Sequence, residues 1–383
     1  MKRFRPPELT RTTPHTPAQP DEAAAGAILT IDLGAIRENY RRLKARLDGV
    51  ACAGVVKADG YGLGAAQVAN ALRKEGCETF FVAHLWEGVL LRDALGAAPT
   101  IFVLHGLLPG SEAQGEAAAL TPVINSTGQL VAWRGLARQL GKKLPAAIQV
   151  DSGMSRIGMA PVEVKALAAD PSGFDGIELK LVMSHLACAD EPEHGANEAE
   201  RLEFERLRKM LPPAPLSFAN SSGIFLGKPY HHDLARPGAA LYGINPTPGH
   251  KNPMQSVVKL EAKVIQTRQI NAGAGVGYGH TFHAAGPLRT ATIALGYADG
   301  WHRRTSAAAF FDGAELPFIG RVSMDSIILD ISALSEGRLK EGDLVELIGP
   351  SHPLDTVADV AGTIGYEVLT SLGHRFHRRY LGG

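Results

Sequence analysis

The sequence predicts an α/β chain: a (β/α)8 barrel of the TIM type followed by a smaller, mostly β domain. Three observations predict it. From about residue 28 onward, short β-rich runs alternate with helical ones. Eight such strand candidates can be counted; apolar strands separated by helices imply right-handed crossovers and a parallel sheet, and a count of eight favours a closed barrel over an open doubly wound sheet. After "NPTPGHKNPM" the rhythm changes to strands joined by turn signals.

Composition narrows the function classes. At 383 residues the chain fits two domains of ~100–250 residues each. It is 45% hydrophobic and 20% charged, as a soluble globular protein is. Thirty-nine basic residues balance 39 acidic ones, so nothing points to nucleic acid or an anionic membrane as partner, and a small-molecule ligand is expected. Cys52, Cys77 and Cys188 are odd in number, far apart and without a CxxC pair. That argues against a disulfide framework and a zinc site and fits a reducing cytoplasm. Residues 1–27 read as a Pro/Thr-rich disordered tail. They lack the ~7–15 apolar residues of a secretory signal, and no run elsewhere reaches the ~18 of a membrane span.

The elements follow in order. "AILTID" leads into the helical "LGAIRENYRRLKARL". "VACAGVVKA" then precedes the helix candidate "LGAAQVANALRKEG", "TFFVAH" precedes "LWEGVLLRDALG", and "TIFVLHG" precedes "GSEAQGEAAA". "LTPVINS" is followed by "TGQLVAWRGLARQLG", "AAIQVDSG" by "PVEVKALAAD", and "LKLVMSHL" by "EAERLEFERLRKML". "PLSFANSSG" and "RPGAALYG" complete the eight. In the second domain "SVVKLEAKVIQTRQI", "RTATIALGYADG", "RVSMDSIILDI" and "GDLVELIG" read as strands, and "TVADVAGTIGYEVLTSL" as a long helix.

The barrel gives the unusual polar residues a common place. Lys57 closes the first strand, His185 the sixth, and Asn220 and Ser221 the seventh; Arg156 follows the fifth and Arg236 enters the eighth. All would converge at the C-terminal mouth, where such barrels keep their active sites. A lysine at a strand end can simply reach into solvent, but Lys57 is followed by Asp59, Gly60, Tyr61 and Gly62. The glycines permit close backbone approach, and Tyr61 is a phenolic donor facing the same mouth. Partial desolvation disfavours an ammonium and frees the amine for a Schiff base. "ANSSG" and "RPGAALYG", small and rich in hydroxyl and backbone donors, fall where barrels place a phosphate. Two such turns across the mouth from a lysine favour a phosphorylated aldehyde, pyridoxal 5′-phosphate (PLP). His185 alone reads as a core histidine, and "VDSGMSRIG" alone as a turn with a solvated arginine. His231 and His232 beside Asp233 suggest a metal site, yet adjacent residues on an extended segment point apart. The pair is read as surface and no metal is assigned.

These stretches resemble a known family. "VVKADGYGLG", "VDSGMSRIGM", "SHLACADE", "ANSSG", "RPGAALYG", "VGYGHTF", "GYADGW", "GRVSMD" and "TIGYE" resemble the successive motifs of the alanine racemase family, in the same order from about residue 28 to the C-terminus. Each motif alone is weak; nine in sequence are specific. The resemblance implies a PLP-dependent barrel over residues 28–250, a C-terminal β domain over 251–383, and a head-to-tail homodimer with shared active sites. It assigns "ILTID" to the β domain. It further implies that Lys57 binds PLP and serves as one catalytic base, with Tyr278 as the second, reaching in from the partner subunit. Arg236 would hydrogen-bond the pyridine nitrogen, and Arg156 the cofactor's phenolic oxygen and the substrate carboxylate. Tyr61, Asn220, Ser221, Gly238 and Ala239 would surround the phosphate; Tyr297, Met324 and Asp325 would lie near the substrate; and His185 joins the catalytic set.

The implied reaction is interconversion of L- and D-alanine, supplying D-alanine for cell-wall peptidoglycan or degrading it. Racemisation requires a proton to leave Cα on one face and arrive on the other, so two acid/base groups must flank a planar carbanion. A phenol works as a base at neutral pH only where positive charge lies nearby, and His185 and Arg236 are the expected sources. An arginine at the ring nitrogen leaves it unprotonated and weakens the electron sink, which should suppress transamination. Two departures from the family stand out: Gln149, where many members have a lysine that is often carbamylated, and His374, aligned with a tyrosine of the entrance. Gln149 is expected to position Arg156 through a neutral hydrogen bond. A serine or lysine racemase would share every motif. A PLP-dependent decarboxylase of the same barrel type is disfavoured by Arg236, and a non-enzymatic PLP-binding barrel by Tyr278 and the strands after residue 250.

Overall fold

The computed structural model describes residues 20–303 and 307–383. The chain forms two compact units. One comprises Thr30–Lys259 with Ile348–Ser371 and Tyr380–Gly383; the other comprises Leu260–Leu347, Leu372–Arg379 and the described N-terminal residues up to Leu29. The units therefore do not divide the chain at a single point near residue 250.

The first unit is the barrel. Seven parallel strands follow in sequence order: Gly54–Val55, Thr79–Val82, Thr100–Val103, Thr121–Ile124, Leu144–Gln149, Ile177–Met183 and Leu216–Ser217. The eighth strand, Leu234–Ala235, pairs in parallel with Ala51–Cys52 just ahead of the first. It also closes the ring on its other side, because the N–H groups of Asp233 and Arg236 donate to the carbonyls of Leu216 and Ala219. The helices between strands form for local reasons. In Thr127–Leu140, Ser126 caps the start by accepting the Gln129 N–H, and Gly141 ends the helix at φ +64°. Leu130, Trp133 and Ala137, spaced to share one face, are buried against the strands. The Trp133 indole donates to the Pro145 carbonyl at 3.1 Å, and truncating such a residue costs about 3–5 kcal/mol.

The second unit is built on a mixed sheet in the order Ala314–Pro317, Ala308–Phe311, Leu344–Ile348, Val258–Ile270, Ala27–Asp32, His377–Leu381. Leu288–Ile293 pairs with Val258–Ile270 and with Ile327–Asp330. "ILTID" thus lies in this sheet, as the family resemblance implied.

Several expectations need correction. "RPGAALYG" is not the eighth strand: the strand ends before Arg236, Pro237 has no N–H to extend a ladder, and Ala239–Tyr242 coils into a 3₁₀ turn. "TVADVAGTIGYEVLTSL" is two helices, Leu354–Ala361 and Gly365–Ser371, broken where Gly362 turns left-handed at φ +67°. The expected disordered tail lies outside the described residues up to 19, but residues 20–27 are ordered. Ala25 and Ala27 are buried, and Glu22 pairs with Arg379 at 2.6 Å. The histidine pair is not surface. His231 is buried with Nε2 on the Ile224 carbonyl, and His232 packs edge-on to Phe204 and Phe218.

Candidate active site

The chain leaves the first strand at Val55 and turns sharply after Lys57. Ala58, Asp59, Gly60 and Tyr61 have φ of 53°, 52°, 62° and 56°, one turn of left-handed backbone carried largely by non-glycine residues. Such residues adopt this conformation only when their surroundings hold them there. The turn is closed by bonds from Gly60 N–H to the Val56 carbonyl (2.9 Å) and from Gly62 N–H to the Ala58 carbonyl (2.7 Å). The Asp59 side chain accepts the Ala65 N–H that opens the next helix. Lys57 is half-buried; burial first and Arg156 second push its amine below the ordinary lysine range, and Glu87 pulls the other way.

Beside this turn two small turns meet. The Ser221 hydroxyl accepts the N–H groups of Gly238 (3.0 Å) and Ala240 (3.2 Å), tying the turn after the seventh strand to the one after the eighth. Asn220 accepts the Gly223 N–H at 2.8 Å, which shapes the 3₁₀ turn Ser222–Ile224. The N–H groups of Ser222 and Ala239 open their turns without a backbone partner among the described residues. Tyr61 is buried, stacked on Tyr242 at 4.4 Å between ring centroids, and its phenol lies where a Cβ on Gly238 would stand. Burial pushes the Tyr61 hydroxyl upward, so it remains a neutral donor.

Arg236 is buried beneath these turns. Its guanidinium donates to the Ser184 carbonyl (2.7 Å), to the Ser217 hydroxyl and to His185 Nδ1 (3.4 Å). Burial alone pushes it down to about 9, leaving it a cation at neutral pH. His185 accepts on Nδ1, which places its proton on Nε2. Burial, then Arg236, Arg156 and Lys57, push His185 down to about 3. It is therefore neutral and cannot be the expected source of positive charge for a phenolic base.

Arg156 sits on an exposed loop after the fifth strand. Asp151 accepts the N–H groups of Gly153 and Ser155, both at 3.0 Å, and folds the loop back on itself. Buried Gln149 donates to the Ile157 carbonyl at 3.3 Å. It thus anchors the backbone next to Arg156 instead of bonding the guanidinium as expected. Two side chains that the sequence reading did not single out stand in this mouth. Glu87 bonds the N–H of Ala58. Tyr366, on the helix Gly365–Ser371, lies close enough to Tyr61 to add to the upward push on that phenol. Tyr366 is thus a tyrosine near Tyr61 within the barrel unit; His374 is exposed. The quoted "TIGYE" held the signal for Tyr366.

The second unit carries its own group. Tyr278 is 71% exposed on a 3₁₀ turn between Gly277 and Gly279, both left-handed. A Cβ on Gly277 would face the Arg321 backbone. Tyr297 N–H donates to the Ser323 carbonyl (3.1 Å) and Ala298 N–H to the Met324 carbonyl (2.9 Å), so Tyr297, Met324 and Asp325 gather on adjoining turns. A Cβ on Gly296 would overlap both of those carbonyls. Arg375 binds Asp325 at 2.8 Å and the buried Asp299 at 3.1 Å, fixing the Asp325 carboxylate.

Comparisons with known proteins identify the family. The family pattern "Alanine racemase, N-terminal domain" matches residues 31–246, and "Alanine racemase, C-terminal domain" matches residues 257–380. The chain is 72% identical over 362 residues to a catabolic alanine racemase of Mesorhizobium japonicum, covering 94% of this chain and 95% of that one. It is 52% identical over 364 residues to a catabolic alanine racemase of Agrobacterium fabrum, covering 94% of each. Its fold matches the crystal structure of alanine racemase from Bartonella henselae with covalently bound pyridoxal phosphate, at a TM-score of 0.90 and 43% identity, over 93% of this chain and all of that one. The chain belongs to the alanine racemase family, isomerases that act on amino acids.

Proposed function

We propose that the chain interconverts L-alanine and D-alanine with pyridoxal 5′-phosphate as cofactor, using Lys57 and Tyr278 of the partner subunit as its two bases in a homodimer with shared sites. The observation that carries the reading is Lys57 itself. Its amine is driven toward the neutral form at the end of the first strand, beside two donor-rich turns.

The residues present fit the cofactor. Only glycine at position 238 leaves room for the Tyr61 phenol beside that backbone. The free amides of Ser222 and Ala239, with Tyr61 and Ser221, form a donor set suited to a phosphate. Lys57 would hold the group covalently through its aldehyde, with Arg236 at the ring nitrogen and Arg156 at the phenolic oxygen. When bound, PLP supplies an electron sink for the charge left at the substrate α-carbon.

The protein's part is placement and protons. A guanidinium offers only donors, so Arg236 leaves the ring nitrogen its lone pair, where a carboxylate would protonate it. Arg156 would fix the substrate carboxylate. The Lys57 amine takes or gives the α-proton on one face, and the exposed Tyr278 phenol does so on the other. His185, being neutral, holds Arg236 without adding charge. A catabolic role, converting one enantiomer for consumption, is supported by the catabolic names of the relatives at 72% and 52% identity. No helix among the described residues is long and apolar enough to cross a membrane, and the three cysteines are free; both support a cytoplasmic location.

The test is chirally resolved turnover of L-alanine, L-serine and L-lysine by the purified protein. D-Alanine should form with kcat/KM at least tenfold above the other two products. Comparable turnover of serine or lysine would reassign the chain to a broader specificity, and loss of carbon dioxide would indicate a decarboxylase.

A further inference from the structure

We propose that Glu87 is the positioning residue for Lys57, a carboxylate that clamps the left-handed turn behind the lysine to the rim of the second strand. The inference rests on the reading of Lys57 as the cofactor lysine and base. Glu87 is the third residue of the helix Leu85–Leu95, and its two oxygens serve different loops. Oε2 accepts the N–H groups of Ala83 (2.7 Å) and His84 (3.0 Å), where the chain leaves the second strand. Oε1 accepts the N–H of Ala58 at 2.6 Å, directly after Lys57.

Ala58 is the first of the four positive-φ residues. Left-handed backbone is unfavourable for each residue bearing a Cβ, so the turn needs an external hold. The Ala58 N–H finds no backbone carbonyl among the described residues; Glu87 is its partner. A hydrogen bond to a carboxylate is roughly twice as strong as one to a neutral acceptor. Ala58 is exposed, so without Glu87 water would take its amide but would not tether it, and the turn could relax toward ordinary backbone, redirecting the Lys57 side chain. Glu87 would then do more than cap its own helix, the ordinary task of a glutamate at this position.

The test compares holoenzymes of the wild type, Glu87→Ala and Glu87→Gln. Readouts are amide hydrogen exchange followed by mass spectrometry, and kcat and KM for both alanine enantiomers. In Glu87→Ala, exchange over 57–62 should rise at least tenfold while the helix Thr127–Leu140 stays protected. Its kcat should fall at least tenfold, with KM changed less than threefold. Glu87→Gln keeps a carbonyl oxygen and should recover part of both effects, and it serves if the alanine variant does not fold. Exchange over 57–62 unchanged in both variants, or increased only within Leu85–Leu95, would overturn the proposal. Borohydride fixation and peptide mapping test the reading beneath it separately: a pyridoxyl group on another lysine rejects Lys57 as the cofactor lysine, whatever the exchange shows.

Discussion

At the residue scale the site is governed by which buried groups carry charge. Lys57, Arg156, His185 and Arg236 were all legible as polar residues falling near the ends of barrel strands. Their protonation was not, because it depends on burial, which no local sequence pattern encodes. His185 is the clearest instance: expected as a source of positive charge, it is half-buried beside a guanidinium and pushed down to about 3. This has a consequence for stability. Between its ordinary value of about 6.5 and the folded value of about 3, the unfolded chain binds a proton that the folded chain refuses. Stability is therefore lost as pH falls below about 6.5, at up to about 1.4 kcal/mol per pH unit from this group. Replacing His185 with Gln should remove that contribution. Denaturant midpoints measured from pH 7 to pH 5 should decline less steeply in the variant, by up to about 2 kcal/mol over the interval. Equal slopes would mean that His185 is protonated in the folded protein.

At the scale of elements, what was legible followed ordinary local signals. Ser126, the apolar face of Leu130, Trp133 and Ala137, and Gly141 define a helix in sequence and in structure alike. The strand hairpin Ala308–Phe311 to Ala314–Pro317 was legible too but unread: Asp312 and Gly313, at φ +48° and +79°, are a two-residue Asp-Gly turn between strands. The eighth strand was misplaced because its two residues are too few to show a period, and "RPGAALYG" is held by side chains distant in sequence. The left-handed turn after Lys57 was hard to read, since Ala58 and Tyr61 have no preference for it; Glu87, 29 residues on, holds its first amide. That turn meets the one after the eighth strand at Gly238, where any Cβ overlaps the Tyr61 phenol. Gly238→Ala should displace the phenol and weaken PLP binding about tenfold or more, in line with the 1–3 kcal/mol typical of overpacking. Titrating cofactor-free protein with PLP measures it; unchanged affinity would remove Tyr61 and Gly238 from the phosphate site.

At the scale of the whole molecule, the proposed site residues divide between the two units. The barrel unit holds Lys57, Arg156, His185, Arg236 and the donor-rich turns, while Tyr278, Tyr297, Met324 and Asp325 belong to the other. A phenol 71% exposed is a poor candidate for a catalytic group within its own unit and a suitable one for reaching into a second copy. Family motifs made this division legible in sequence; the chain's own periodicity did not, since an exposed tyrosine between glycines has no burial signature.

The shared site is the central claim, and mixed dimers test it most directly. Lys57→Ala and Tyr278→Phe proteins, each impaired alone, are co-expressed with different tags, and dimers carrying both tags are isolated. If Tyr278 acts across the interface, one site of each mixed dimer carries both defects and the other carries neither. Activity should therefore return to about half the wild-type value per dimer in both directions of racemisation. Verified mixed dimers no more active than their parents would contradict the account, placing lysine and tyrosine in the same subunit's site or removing Tyr278 as the second base.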